Sequence, residues 1–167
     1  MTHEAVTFVQ NLFRVRPEEA RRTSLAFLYL FSAIGAFIVA RIARSVLFLE
    51  LPNYREQLPL AYVATAVAVS LSMYAYSRFE RALRRDQTNV ITLTTIILIT
   101  LGFRWALATP SHAIYWAFYV WVEILGSFTI VQFWSFANEI FNSRQAKRLF
   151  ALIGGGAVVG GLLGASI

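Results

Sequence analysis

Five stretches of this sequence are long and apolar, and little chain separates them: 24–49, 58–77, 90–108, 114–136 and 149–167. About 20 such residues in a helix span the ~30 Å hydrocarbon core of a bilayer. No water reaches backbone N–H and C=O groups there, so the chain must satisfy them itself, in helices or in a closed barrel. Continuous rather than alternating apolarity selects the helix. The expected fold is an all-α membrane protein, a polytopic bundle of five transmembrane helices. Composition agrees. The chain is 57% hydrophobic and 14% charged, against roughly 45–50% and about 25% for a soluble domain, and its mean hydropathy is +0.58.

The basic residues then orient the bundle. Arg14, Arg16, Arg21 and Arg22 precede the first span, Arg78, Arg81, Arg84 and Arg85 fill the second connection, and Arg144, Lys147 and Arg148 the fourth. The first connection holds Arg55 alone and the third has no basic residue. By the positive-inside rule the N-terminus is cytoplasmic. Topology and contact with anionic lipid account for most of the net charge of +6, so the partner is the lipid bilayer and no nucleic acid is expected. Residues 1–23 read as a cytoplasmic segment and 24–167 as the bundle. Phe8, Val9, Leu12 and Phe13 recur at helical spacing, which suits an interfacial helix; a frayed terminus fits as well. Pro17, Glu18 and Glu19 have the character of a helix first turn, and Pro52 and Asn53 of its end. The apolar run closing on Gly164-Ala-Ser-Ile167 has no flanking charge. Transporter halves commonly hold six spans, so a sixth helix, a second half or soluble domains are expected after Ile167.

Enzymatic chemistry finds no residues. There is no cysteine, and His3 and His112 are isolated, so no metal site, nucleophile or cofactor is expected. The glycines Gly154, Gly155, Gly156, Gly160, Gly161 and Gly164 lack the Gly-Lys-Ser/Thr of a phosphate loop. Small residues four apart at Gly156, Gly160 and Gly164 instead suit close helix packing.

Four charged residues lie inside spans: Arg41, Arg44, Arg104 and Glu123. An ionisable group at mid-depth costs roughly 2.5–3.5 kcal/mol unless it meets a partner or water. Arg41 and Glu123 each lie about 14 Å from the outer end of their helix at ~1.5 Å per residue, so they share a level near the midplane. Arg44 is one turn shallower. At 100° per residue, Glu123, Ser127 and Asn138 line one stripe of the fourth helix, with Gln132 opposite. A hydrated cavity between helices 1 and 4 accommodates both charges. A plain interhelical ion pair, or snorkelling of Arg44 and Arg104 to the surface, are the alternatives. Snorkelling cannot serve a short mid-depth carboxylate.

The run Phe118-Tyr-Val-Trp-Val-Glu123-Ile-Leu-Gly-Ser127, with Gln132-Phe-Trp-Ser-Phe-Ala-Asn138, Gln145-Ala-Lys-Arg-Leu-Phe150 and Leu152-Ile-Gly-Gly, resembles the ATP/ADP translocases of plastids and obligate intracellular bacteria. That family is distantly related to the major facilitator superfamily and has about twelve spans, of which this chain would be an incomplete N-terminal half. Glu123 matches the family's helix-4 glutamate. In the first span the family pattern is Arg-x-x-Lys-Asp, and here the residues are Arg41-Ile-Ala-Arg44-Ser45. The resemblance implies a nucleotide antiporter for ATP and ADP, working by alternating access in, for a bacterium, the inner membrane. Arg41 and Arg44 would bind phosphates, which suit charge-assisted guanidinium bonds. Glu123 would hold an arginine in the empty site, and Ser127 and Asn138 would line it. A carrier of another organic anion or a proton-coupled solute is the first alternative. A non-transporting anchor or sensor is the second.

Overall fold

The computed structural model describes residues 17–82, 85–109 and 111–166; the expected interfacial helix around Phe8 and Phe13 lies outside them. Among the described residues there are five helices and no strand: α1 (Pro17–Leu49), α2 (Tyr54–Ala82), α3 (Arg85–Ala106), α4 (His112–Ile140) and α5 (Ser143–Ala165). All five are long and apolar enough to cross a membrane. Most outrun the apolar windows of the sequence. α1, with 33 residues, is about 50 Å long at 1.5 Å per residue, well beyond a ~30 Å core. Arginines such as Arg21, Arg78 and Arg148 are good helix formers, so the backbone stays helical beyond the apolar runs.

α1 ends where Pro52 follows and Asn53 takes a left-handed φ of 58°, a conformation asparagine tolerates better than most residues. The Gln57 side chain donates back to the Pro52 carbonyl at 2.7 Å, closing the turn into α2. The chain forms two compact units, of which 17–39 with 133–166 is one and 40–132 the other. α1 and α4 each contribute to both.

In the first unit Ala26, Leu30, Phe133, Ala137, Phe141, Leu149 and Ile153 form a buried cluster. Aromatic rings extend it, with Trp134 edge-on to Phe150 at 5.0 Å and Tyr29 stacked on Phe133 at 5.5 Å. Gly156, Gly160 and Gly164 are all buried on one face of α5. A Cβ on Gly156 would lie 2.6 Å from the Phe27 carbonyl oxygen, and one on Gly164 would lie 2.7 Å from that of Gly35. One on Gly160 would overlap the Phe31 carbonyl oxygen. These obstacles are backbone and cannot rotate aside. Lipid tails are as apolar as leucine, so close van der Waals contact between backbones is what holds such a helix pair. At one end Glu19, 8% exposed, accepts from the Gln145 amide at 2.8 Å and from the Arg148 guanidinium.

Gly160→Ala is expected to lower stability by about 1–3 kcal/mol through overpacking. Gly154→Ala, with nothing within 4 Å of the new Cβ, should be near-neutral. Thermal unfolding of the two variants in detergent decides between this interface and an indifferent glycine run.

Candidate functional site

The second unit is organised around Phe48, which is 1% exposed. Its ring meets Trp116 edge-on at 5.4 Å and Tyr119 at 4.6 Å, and Leu51, Ala61 and Tyr115 complete the cluster. The Trp116 indole donates to the Gln57 side-chain oxygen at 2.8 Å, which ties α4 to the start of α2. α1 and α4 run antiparallel here. Phe48 faces Trp116 and Tyr119, and one turn toward the N-terminus Arg44 faces Tyr119 and Glu123.

That next turn carries the charges. The Arg44 side chain is 4% exposed and its Nη2 lies 2.5 Å from Glu123 Oε1. Its Nη1 donates to the Tyr119 carbonyl at 3.1 Å, and the guanidinium sits 4.2 Å from the centre of the Tyr119 ring. A cation over a desolvated aromatic face gains about 2 kcal/mol. Arg44 Nε is buried with no hydrogen-bond partner among the described residues. Arg41 is arranged differently: its side chain is 55% exposed and its Nε is 3.7 Å from the same Glu123 oxygen. Glu123, at 26% exposure, thus lies between two guanidinium groups.

The Cα levels of Arg41 and Glu123 point to Arg41 as the principal partner, yet Arg44 is the close one. The reason is side-chain direction. Every Cα–Cβ bond of a helix leans toward its N-terminus, so a long side chain covers the turn before its own Cα. In an antiparallel pair the Arg44 head descends and the Glu123 head rises, and the two meet between their Cα levels. Arg41, leaning the same way, overshoots.

The remaining residues of the expected stripe are less concentrated. Ser127 is half-buried one turn after Glu123 on the same face of α4, and Asn138 is exposed and belongs to the first unit. Ser45 donates to the Arg41 carbonyl at 2.9 Å, a local helix bond. Arg104 is exposed near the end of α3. Two further buried polar side chains in this unit lack hydrogen-bond partners among the described residues: Gln132, at both amide atoms, and the Thr65 hydroxyl. Tyr119 had no mark in the sequence beyond its place four residues before Glu123, which puts both on one face of a helix.

Five helices long and apolar enough to span a bilayer, among the described residues, with a paired charge cluster on facing helices, define a multi-pass helical membrane protein. The model of the TLC ATP/ADP transporter family matches residues 24–167, and the chain belongs to that family. It is 23% identical over 145 residues to ADP,ATP carrier protein 3 of Rickettsia bellii (strain RML369-C), covering 86% of this chain and 28% of the relative. It is 41% identical over 63 residues to ADP,ATP carrier protein 1 of Chlamydia muridarum (strain MoPn / Nigg), covering 37% of this chain and 12% of that protein. The chain therefore spans under a third of the length of either relative. No solved structure matches.

Glu123→Gln removes the only carboxylate paired with Arg44 among the described residues and leaves a cation buried. Breaking a buried pair costs on the order of 3–5 kcal/mol, and the partial exposure of Glu123 places this site at the lower end. Chemical or thermal unfolding of the purified protein measures the loss.

Proposed function

We propose that the chain is part of a nucleotide antiporter exchanging ATP and ADP by alternating access, with Arg41, Arg44 and Glu123 at its substrate site and Ser127 and Asn138 along the same stripe of α4. The observation that carries this reading is the pairing of two arginines with one carboxylate in the apolar middle of spanning helices, in a chain of the TLC ATP/ADP transporter family. The two similar proteins named above are called ADP,ATP carriers.

The chemistry is coherent. Nucleotides are polyanions, and guanidinium groups give them charge-assisted bonds. With the site empty, Glu123 neutralises the arginines and lowers the cost of keeping them away from water. A phosphate chain entering the site is attracted by the same cluster, in which two guanidinium groups face one carboxylate. Exchange of ATP for ADP moves about one net charge, worth ~2.3 kcal/mol per 100 mV, and membrane potential would bias its direction. No bond of the nucleotide is broken. The distribution of arginine and lysine supports an N-terminus on the cytoplasmic side.

Full-length protein in proteoliposomes is expected to take up labelled ATP saturably, and only when ADP or ATP is present on the other side. Glu123→Gln and Arg44→Gln should each reduce uptake by at least ~10-fold, the loss of about 1.4 kcal/mol of binding or barrier. Uptake of other organic anions in place of nucleotides would overturn the substrate assignment, and nucleotide uptake independent of internal nucleotide would overturn exchange.

A further inference from the structure

Of the two arginines beside Glu123, only Arg41 is exposed. The Arg44 guanidinium is engaged by a carboxylate through Nη2, by a backbone carbonyl through Nη1 and by an aromatic ring on its face. To reach a ligand it must leave all three together, from a side chain that is 4% exposed. Arg41 presents the opposite picture. More than half of its side chain is exposed, and a 3.7 Å approach of Nε to Glu123 is its one ion pair among the described residues. A guanidinium binds phosphate through two parallel N–H donors, and the Nη groups of Arg41 are not committed to any hydrogen bond among those residues.

Tyr119 enforces the difference. It contributes both the ring and the carbonyl that hold Arg44. It is itself 4% exposed and packed against the fully buried Phe48, so its ring has little freedom to release the cation. A carbonyl in the middle of α4 is equally fixed.

We infer that Tyr119 is a positioning residue that keeps Arg44 as the fixed counter-charge of Glu123, leaving Arg41 as the arm that takes the phosphate groups of a polyanionic substrate. The part assigned to Arg41 rests on the nucleotide reading above; the Tyr119–Arg44–Glu123 lock does not. Removing Glu123 leaves Arg44 buried without a counter-charge, and removing Arg44 leaves Glu123 only its longer contact with Arg41, so removing both is milder than removing either. Removing Arg41 leaves the lock in place and takes away a ligand contact.

Two measurements on the full-length protein test this. In thermal unfolding, Arg44→Gln is expected to lower Tm by several degrees and Arg44→Gln/Glu123→Gln to recover at least half of that loss, while Arg41→Gln changes Tm little. Tyr119→Leu should lower Tm in the native background and have a smaller effect in the double variant; Tyr119→Phe, which keeps the ring, should fall nearer the native protein. In ATP titration of uptake, Arg41→Gln should raise the half-saturating concentration by ~10-fold or more, with a smaller effect on the maximal rate. The inference is overturned if the double variant recovers no stability, or if Arg41→Gln saturates with ATP as the native protein does. Native protein that takes up no nucleotide would sink the proposed function and the role of Arg41 with it, and the Tm cycle would still decide the lock.

Discussion

The ion pair between Arg44 and Glu123 constrains the second unit more than any other contact. Each charge alone, in the middle of an apolar helix, would cost several kcal/mol in lipid. Together they are tolerable only if α1 and α4 stay in one register, because a slip of one turn separates the groups. The aromatic cluster beside them supplies that register. Phe48 fits against Trp116 and Tyr119, and the same Tyr119 then meets Arg44 one turn along. Packing places the charges, and the charges make any other packing expensive. A buried ion pair is weak evidence for net stability but strong evidence for a specified arrangement, since breaking it by halves costs more than never having built it.

The first unit is held by other means. There the close contact is between backbones, with Gly156, Gly160 and Gly164 against the carbonyls of Phe27, Phe31 and Gly35. Burial of apolar surface drives helix association little inside a bilayer, where the alternative is a hydrocarbon tail. Density of contact therefore matters, and only glycine allows it at these positions. Charge appears in this unit at one end, where Glu19 meets Gln145 and Arg148. Glu19 there also follows the rule for carboxylates near helix starts, two residues into α1.

Much of this was legible in the sequence because a bilayer permits few solutions. Apolar runs of spanning length dictate helices, and Glu123 in such a run demands a partner. Helix ends were less legible: hydropathy marks where lipid begins, whereas helices such as α1 and α5 continue through the charged residues beyond it. Cα depth sets Arg41 level with Glu123 but does not say which arginine comes closer, because depth ignores the lean of helical side chains, which carries Arg44 to the carboxylate and Arg41 past it. Tyr119 was invisible for a different reason. Aromatic residues are common in this chain, at 15%, and nothing local tells a ring that stacks on a cation from one that fills a core. Gln132, with both amide atoms buried and unpartnered, was legible as polar but not as buried.

The residues at positions 44 and 45 have a physical sense in this arrangement. A lysine ammonium is a point charge, whereas a guanidinium can lie flat on the Tyr119 ring while its edge donates to a carbonyl and a carboxylate. Arginine is thus the residue that fits this socket. The Ser45 hydroxyl turns to the Arg41 carbonyl and adds no negative charge. Two guanidinium groups then face one carboxylate, and the cluster carries a net charge of about +1, where a second carboxylate would bring it to neutrality. The uncompensated charge belongs to the exposed arginine, Arg41. A cluster of this kind is positive only at its accessible member and keeps the pair that joins the two helices.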